Sequence, residues 1–399
     1  MEIYIRMIMQ TKKRLLIITN RYPVGPDDVA SPFVHDFRMA LKNGDITADV
    51  VTPYYHSKCE DASYIDSAVH TFKWSDGSTV ISQLPLYHPA SLLKIKRYFN
   101  RGYETGAALL EKNKYDGILA LWAAPSGYIA YKLSEKYHIP YAVWALGSDI
   151  NSWAQLPIAG NVIRKVLKCA DQLYADGYEL AMKVQALSDS ACRFIPSYHA
   201  IDIQTAGKKT PEKRFICVGR VEKSKGVFDL LEAFRLFAGD HPGWKLYYVG
   251  TGSSEQRLKE LIEEYHLTDS VTCCGYLPRH QINELLVNSI AALIPSHSDS
   301  LPLTFGEAMQ AGVPVICSDI GDMPYFIDIY KVGCHFPTGD VKALALRMGE
   351  MTTRAAQFAE NCPRALDELD IKNSVQAVAE WLEAVKVMNN RAEFGYADA

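Results

Sequence analysis

Short apolar runs rich in β-branched residues recur along the chain, and stretches of helical periodicity fill the gaps between them. The runs are Leu15 to Thr19, Ala48 to Val51, Gly117 to Leu121 and Tyr141 to Leu146, then Phe215 to Gly219, Lys245 to Val249, Val271 to Cys274, Ala291 to Ile294 and Val313 to Cys317. Strands that are apolar throughout are buried on both faces, so the pattern predicts parallel sheets covered by helices, an α/β architecture. Between the two series, Pro196 to Arg214 holds two prolines, three lysines and a glycine with little periodicity, and reads as a linker with a domain boundary near residue 206. The last helical stretch, Ser374 to Met388, sets Val375, Val378, Ala379, Trp381, Leu382 and Val385 at helical spacing and needs a surface to cover them.

A length of 399 residues exceeds one ordinary core and agrees with two domains. Hydrophobic residues at 48% and charged residues at 22% fit a globular chain that folds throughout. A net charge of -4 and a pI near 6.3 give no general attraction to nucleic acid. The nine cysteines form no Cys-x-x-Cys pair, and Cys217, Cys273 and Cys317 sit in strand-like runs, which predicts reduced thiols and a cytoplasmic setting. Residues 1–10 lack the order of a secretory leader, no run approaches the length of a membrane helix, and Met7 or Met9 is a candidate start because the first strand pattern begins at Arg14.

A doubly wound sheet binds ligands beyond the carboxyl ends of its strands, and the motifs fall there. Arg220 and Lys225 lie in Gly219-Arg-Val-Glu-Lys-Ser-Lys-Gly226, between a strand and the helix Val227 to Phe237. A fork donor and a point charge at a helix start suit a diphosphate, although a solvated basic loop would have the same composition. Asp299 and Glu307 bracket a turn that opens a helix over Thr304 to Gln310. Free amides there suit phosphate and a carboxylate one turn in suits ribose hydroxyls, while a capping aspartate and an ordinary helical glutamate remain the plainer alternative. Gly250-Thr-Gly252 is explained by turn chemistry alone, and Tyr276 after Gly275 is placed either beside a base or in packing. No Asp-x-Asp triplet, metal-spaced histidine pair, Gly-x-Ser-x-Gly elbow or Gly-x-x-x-x-Gly-Lys loop occurs, so metal-dependent, hydrolase and ATPase chemistries lose support and no metal or cofactor is expected. Ser91 to Lys112 reads as an amphipathic helix with Leu92, Ile95, Phe99 and Tyr103 on one side and Lys94, Arg97 and Arg101 opposite. It is either a domain helix with a solvated face or a peripheral contact with anionic lipid.

Taken together, Val218-Gly-Arg220, Lys225-Gly226, Leu230 to Phe234, Lys245 to Gly250, Val271 to Pro278, Asp299 to Gly312 and Gly339-Asp340 resemble the retaining glycosyltransferases of family 4. The resemblance implies the GT-B fold, two Rossmann-like doubly wound domains facing across a cleft. They would be residues 1–205 on the acceptor side, with the C-terminal helix 374–399 packing back on them, and residues 206–373 on the donor side. It places Arg220 and Lys225 at the donor diphosphate, Glu307 at the ribose and Asp299, where the family usually has glutamate, at the transferred sugar. Gly219 and the amides of Leu303 and Thr304 would face the phosphates, and Gly275, Tyr276 and Leu277 would frame the base. Gly25, Trp122 and Asp149 fall on acceptor-side segments.

The chain also departs from the family. Leu121 and Leu146 stand where histidines are common, and the loop Asn20 to Pro32 has the single glycine Gly25. The implied function is sugar transfer, with retention and without a metal, from a nucleotide-diphosphate sugar to a glycan or lipid-linked glycan in cell-surface polysaccharide synthesis. UDP is preferred, with GDP-mannose as the other donor. The alternatives are a catalytically silent binding subunit, motivated by the two leucines, and a sugar-nucleotide epimerase or phosphorylase on the same fold.

Overall fold

The computed structural model describes residues 12–25, 28, 31–55, 64–79, 81, 84, 88–198 and 211–393. Met7, Met9, the boundary near 206 and the terminal residues 394–399 lie outside these. The chain divides into two units, one made of residues 1–197 with 371–399 and the other of residues 198–370.

In the first unit, seven parallel strands run in the order β3-β2-β1-β4-β5-β6-β7. They are β1 (Lys13–Ile18), β2 (Ile46–Pro53), β3 (Val69–Phe72), β4 (Gly117–Leu121), β5 (Tyr141–Ala145), β6 (Gln172–Ala175) and β7 (Cys192–Phe194). Alternate side chains supply two cores. Leu16, Ile18, Ile118 and Val143 face one helical layer, while Leu15, Ile17, Leu119 and Trp144 face the other way. Helix α1 (Pro32–Asn43) and the final helix, Lys372–Glu393, cover the second of these faces. Helices α2 (Pro89–Lys112), α3 (Ser126–Tyr137), α4 (Pro157–Lys168) and α5 (Tyr178–Ser188) cover the first.

The final helix finds its surface within this unit. Ala377, Val378, Trp381 and Leu382 are buried against the sheet, and Gly117 is the space that admits the indole, since a Cβ there would lie 2.7 Å from a Trp381 ring carbon. Polar ties fix the register: Tyr174 donates to the Ala377 carbonyl at 3.0 Å, and Lys13 and Arg193 pair with Glu383 and Glu380, each at 2.7 Å.

Helix α2 corrects one expectation. Its deeply buried face is Ser91, Tyr98, Gly102, Gly106, Ala107 and Leu109, whereas Ile95, Phe99 and Tyr103 are only half-buried at its flank and Leu92 is exposed. Two glycines decide the face, because a Cβ at Gly102 or Gly106 would lie 2.6 Å from Ile129 or Leu133 of α3. Small residues that let helices approach closely do not register in a count of large apolar ones.

In the second unit, six parallel strands run in the order β10-β9-β8-β11-β12-β13. They are β8 (Arg214–Val218), β9 (Lys245–Val249), β10 (Val271–Gly275), β11 (Ala291–Ile294), β12 (Val315–Ser318) and β13 (Gly333–Phe336). The strand order reverses between β8 and β11, so the connections out of these two strands part to opposite sides and leave a crevice at their carboxyl ends. Helices α6 (Val227–Asp240), α7 (Glu255–Glu264), α8 (Arg279–Val287) and α9 (Leu303–Gln310) follow β8, β9, β10 and β11.

Candidate functional site

The loops leaving β8 and β11 meet at that switch point. The amide of His297 donates to the Ser224 carbonyl at 2.8 Å, and the Thr304 hydroxyl donates to the Val218 carbonyl at 3.2 Å, which ties the start of α9 to the end of β8. Gly226 has φ 66°, and a Cβ on it would lie 1.9 Å from the Pro295 carbonyl oxygen. Only glycine satisfies both the left-handed turn and the close approach. The short turn Lys223–Lys225 therefore comes directly against the β11 loop, and Lys225 with it. Leu303 and Thr304 are the first two residues of α9, where backbone amides have no acceptor within the helix.

Lys225 Nζ lies 2.6 and 2.8 Å from the two carboxylate oxygens of Asp299, with both side chains about four-fifths buried. Asp299 is thus the counterion of Lys225, a contact that neither residue's position in the sequence announced. Arg220 is exposed, 68% of its side chain being accessible, and Nη1 donates to Glu222 at 2.9 Å. Both predicted cations hold carboxylate partners, so an incoming anion competes with Asp299 and Glu222 for them.

Glu307 sits in the second turn of α9, half-buried. Burial pushes its carboxyl above the ordinary range, and the guanidinium of Arg279 at the start of α8 opposes the shift. Tyr198 completes this group. Its ring lies on Gly306, where a Cβ would come within 2.4 Å of Cγ, and its hydroxyl donates to Gln310 and receives a hydrogen bond from Arg279. Neither Tyr198 nor Arg279 is marked by a motif, and Tyr198 lies within Pro196 to Arg214, the stretch whose composition predicts a linker. The glycine directly before Glu307 was the available signal, since a helix interior accepts glycine chiefly where something packs closely. Gly275 has φ 67° and ends β10 after a register shift, and Tyr276 beside it is 47% exposed. Gly219 has φ 149°, with its amide bonded to the Val249 carbonyl at 2.9 Å.

The residues expected on the acceptor side all lie in the first unit. Asp149 is buried, and its oxygens accept the amides of Ala123 at 2.7 Å, Gly147 at 3.0 Å and Leu146 at 3.3 Å. It fastens the loops after β4 and β5 together. Trp122 follows β4 at that sheet's own switch point with φ 72°, a strained conformation for a large side chain. Its amide donates to the Trp144 carbonyl at 2.9 Å, and its carbonyl accepts from Gly127 at 3.0 Å. Gly25 is buried, and its carbonyl accepts the Asp28 amide at 3.1 Å. Leu121 is fully buried and Leu146 half-buried, both in the apolar core. Among the described residues no group of three or more His, Cys, Asp or Glu side chains is arranged to hold a metal ion.

Comparison with known proteins bears on the second unit first. Residues 200–362 match the family model described as glycosyl transferases group 1. That match lies wholly within the second unit, residues 198–370. Among curated relatives, the chain is 30% identical over 143 residues to a putative colanic acid biosynthesis glycosyltransferase, WcaL, of Salmonella typhimurium, covering 34% of this chain and 35% of that protein. It is 29% identical over 219 residues to a putative teichuronic acid biosynthesis glycosyltransferase, TuaC, of Bacillus subtilis, covering 52% and 54%. The chain therefore spans about half or less of the length of these relatives. Among solved structures, it resembles sucrose-phosphate synthase from Thermosynechococcus elongatus (TM-score 0.73, 17% identity, 94% of this chain and 100% of that one). It also resembles HepE of Anabaena in complex with UDP (TM-score 0.69, 17% identity, 93% and 100%). At such identities the likeness shows the fold, and the fold is GT-B.

Proposed function

We propose that the protein is a retaining glycosyltransferase that moves a sugar from a nucleotide-diphosphate sugar to a glycan or lipid-linked glycan acceptor. The carrying observation is the convergence at the β8/β11 switch point of Lys225, Asp299, the first amides of α9 and Glu307, beside the exposed Arg220. In this reading the diphosphate takes Lys225 and Arg220, the ribose hydroxyls donate to Glu307, and Asp299, released from Lys225, accepts from the sugar. The acceptor oxygen attacks the anomeric carbon on the face the diphosphate leaves, the bond from that carbon to the phosphate oxygen breaks, and the departing phosphate takes the acceptor proton. Lys225 and Arg220 offset the charge that grows on the leaving group, the term that dominates such reactions.

No imidazole is needed in that scheme, which agrees with apolar Leu121 and Leu146. UDP is preferred because HepE and TarM, two proteins of this fold, were crystallised with it. WcaL and TuaC are named for colanic acid and teichuronic acid biosynthesis, which supports a role in polysaccharide synthesis, and in this reading the chain works in the cytoplasm beside the membrane. The burial of Leu121 and Leu146 also fits the rival reading, a binding subunit without turnover.

Incubating the full chain with UDP-sugars and GDP-mannose, with and without glycan acceptors, separates the readings. Nucleotide release with an α-linked product from an α-linked donor supports retaining transfer. Binding without turnover across the panel selects the silent subunit, and a changed sugar still joined to its nucleotide selects an epimerase.

A further inference from the structure

Helices α2, α3, α4 and α5 form one continuous layer over one face of the first sheet, and their outer surface has an unusual composition. They carry eleven Lys and Arg against four Glu and no Asp, a net charge of +7 in a chain whose total is -4. From Leu92 to Arg101 alone there are four cations, Lys94, Lys96, Arg97 and Arg101, all exposed, and no acid. The same layer leaves large apolar side chains in solvent: Leu92 is 53% and Leu93 70% accessible, Leu156 41%, Ile158 83% and Met182 66%.

Their placement is as informative as their number. Each helix of a parallel α/β unit runs opposite to its strands, so helix N-termini share the rim at the strands' carboxyl ends. Leu92 and Leu93 lie in the first two turns of α2, Leu156 and Ile158 at the start of α4, and Met182 in the second turn of α5. The exposed apolar groups therefore stand along one rim, with cations on the helix surfaces behind it. Scattered surface leucines need no explanation, but apolar groups gathered on one rim and flanked by one sign of charge do.

We propose that the outer face of α2, α4 and α5 docks on an anionic lipid surface, with Leu92, Leu93, Ile158 and Met182 entering the headgroup region and Lys94, Lys96 and Arg97 meeting lipid phosphates. Charge complementarity selects this occupant over a second copy of the chain, whose matching face would bring the +6 of these three helices against another +6. The layout is that of an interfacial anchor, which combines apolar insertion with electrostatic attraction, and no helix among the described residues is long and apolar enough to cross a membrane. The proposal deepens the reading above, since a lipid-linked acceptor lies at such a surface, yet lipid binding rests on the first unit and nucleotide binding on the second, so the two fail separately.

The test is co-sedimentation of the full chain with vesicles of phosphatidylglycerol and phosphatidylcholine, against phosphatidylcholine alone, over a range of salt. Binding to the anionic vesicles, weakening as salt rises, is expected. Reversing Lys94→Glu, Lys96→Glu and Arg97→Glu together should weaken it at least ~100-fold, since each cation near an anionic surface contributes about a factor of five. Leu93→Ser with Ile158→Ser should weaken it ~10-fold while leaving nucleotide binding by calorimetry unchanged. Absence of binding to anionic vesicles, equal binding to the neutral ones, or unchanged binding by both variants would overturn the proposal. So would concentration-dependent dimerisation, seen by light scattering, that the same substitutions abolish, because the face would then belong to a second copy. Lost nucleotide turnover with intact vesicle binding would count against the transferase reading alone.

Discussion

Replacing Lys225 by alanine should do more damage to nucleotide binding than losing one contact, because of what stands behind it. The ammonium lies 2.6 Å from the Asp299 carboxylate, and that carboxylate is only 17% exposed. Without Lys225, Asp299 stays as an uncompensated negative charge beside the phosphate position. The lost charge-assisted hydrogen bond accounts for about 2 kcal/mol. A carboxylate roughly 6 Å from a phosphate repels it by about 3 kcal/mol at an effective dielectric near 20, and partial exposure reduces this to roughly 1 to 2 kcal/mol. Together these give a loss of roughly 300-fold in the affinity for a nucleoside diphosphate. Arg220→Ala removes an exposed donor and leaves no buried charge, so its cost is smaller, about 1 kcal/mol or roughly 5-fold. Adding Asp299→Asn to Lys225→Ala removes the repulsion and should recover roughly 10-fold of the binding. Isothermal titration of UDP into the four proteins, each first shown to melt cooperatively, measures all of these. A Lys225→Ala protein that binds within about 3-fold of the parent, or a double variant that recovers nothing, would refute the reasoning.

Three further outcomes follow from the geometry. Gly226→Ala forces a Cβ against the Pro295 carbonyl at a positive φ, so it should lower stability to urea by about 2 kcal/mol or more and abolish nucleotide binding; a protein of unchanged midpoint would show that the turn relaxes freely. Asp149→Ala leaves three amides at the β4 and β5 loops without their acceptor and should cost about 3 kcal/mol by chemical denaturation, with Asp149→Asn closer to the parent. Glu307 has its folded pKa raised, so the folded state holds its proton more tightly than the unfolded one and this group's contribution to stability falls as pH rises from the ordinary carboxylate range through the raised value. Glu307→Gln should therefore gain thermal stability relative to the parent at neutral pH, a difference that shrinks toward pH 4, while weakening nucleotide binding; a gain independent of pH would point to packing instead.

Much of the fold was legible because strands buried on both faces announce themselves. Leu15, Leu16, Ile17 and Ile18 leave no polar position to confuse the reading, and the same holds for Gly117 to Leu121 and Ala291 to Ile294. Four strands were missed for the opposite reason. β3 reads Val-His-Thr-Phe, β6 Gln-Leu-Tyr-Ala, β7 Cys-Arg-Phe and β13 Gly-Cys-His-Phe. Each is four residues or fewer with a polar member, and β3, β7 and β13 lie at sheet edges, where pairing on one side suffices. The residues expected at the donor were visible as strand-end motifs, since a doubly wound sheet fixes where such loops go. What no spacing rule could supply was the pairing of Lys225 with Asp299, 74 positions apart, or of Tyr198 with Gly306. Those contacts exist only once β8 and β11 are neighbours. Asp149 shows the converse, a residue whose segment matched a pattern while its carboxylate is spent on backbone amides.

The account rests on a diphosphate gripped in the second unit, and a crystal structure of the full chain with UDP tests it most directly. The prediction is a pyrophosphate within hydrogen-bonding distance of Lys225 Nζ and the Arg220 guanidinium, ribose hydroxyls on Glu307, and Asp299 released from Lys225. A nucleotide lodged in the first unit, with the contact between Lys225 and Asp299 intact, would contradict it.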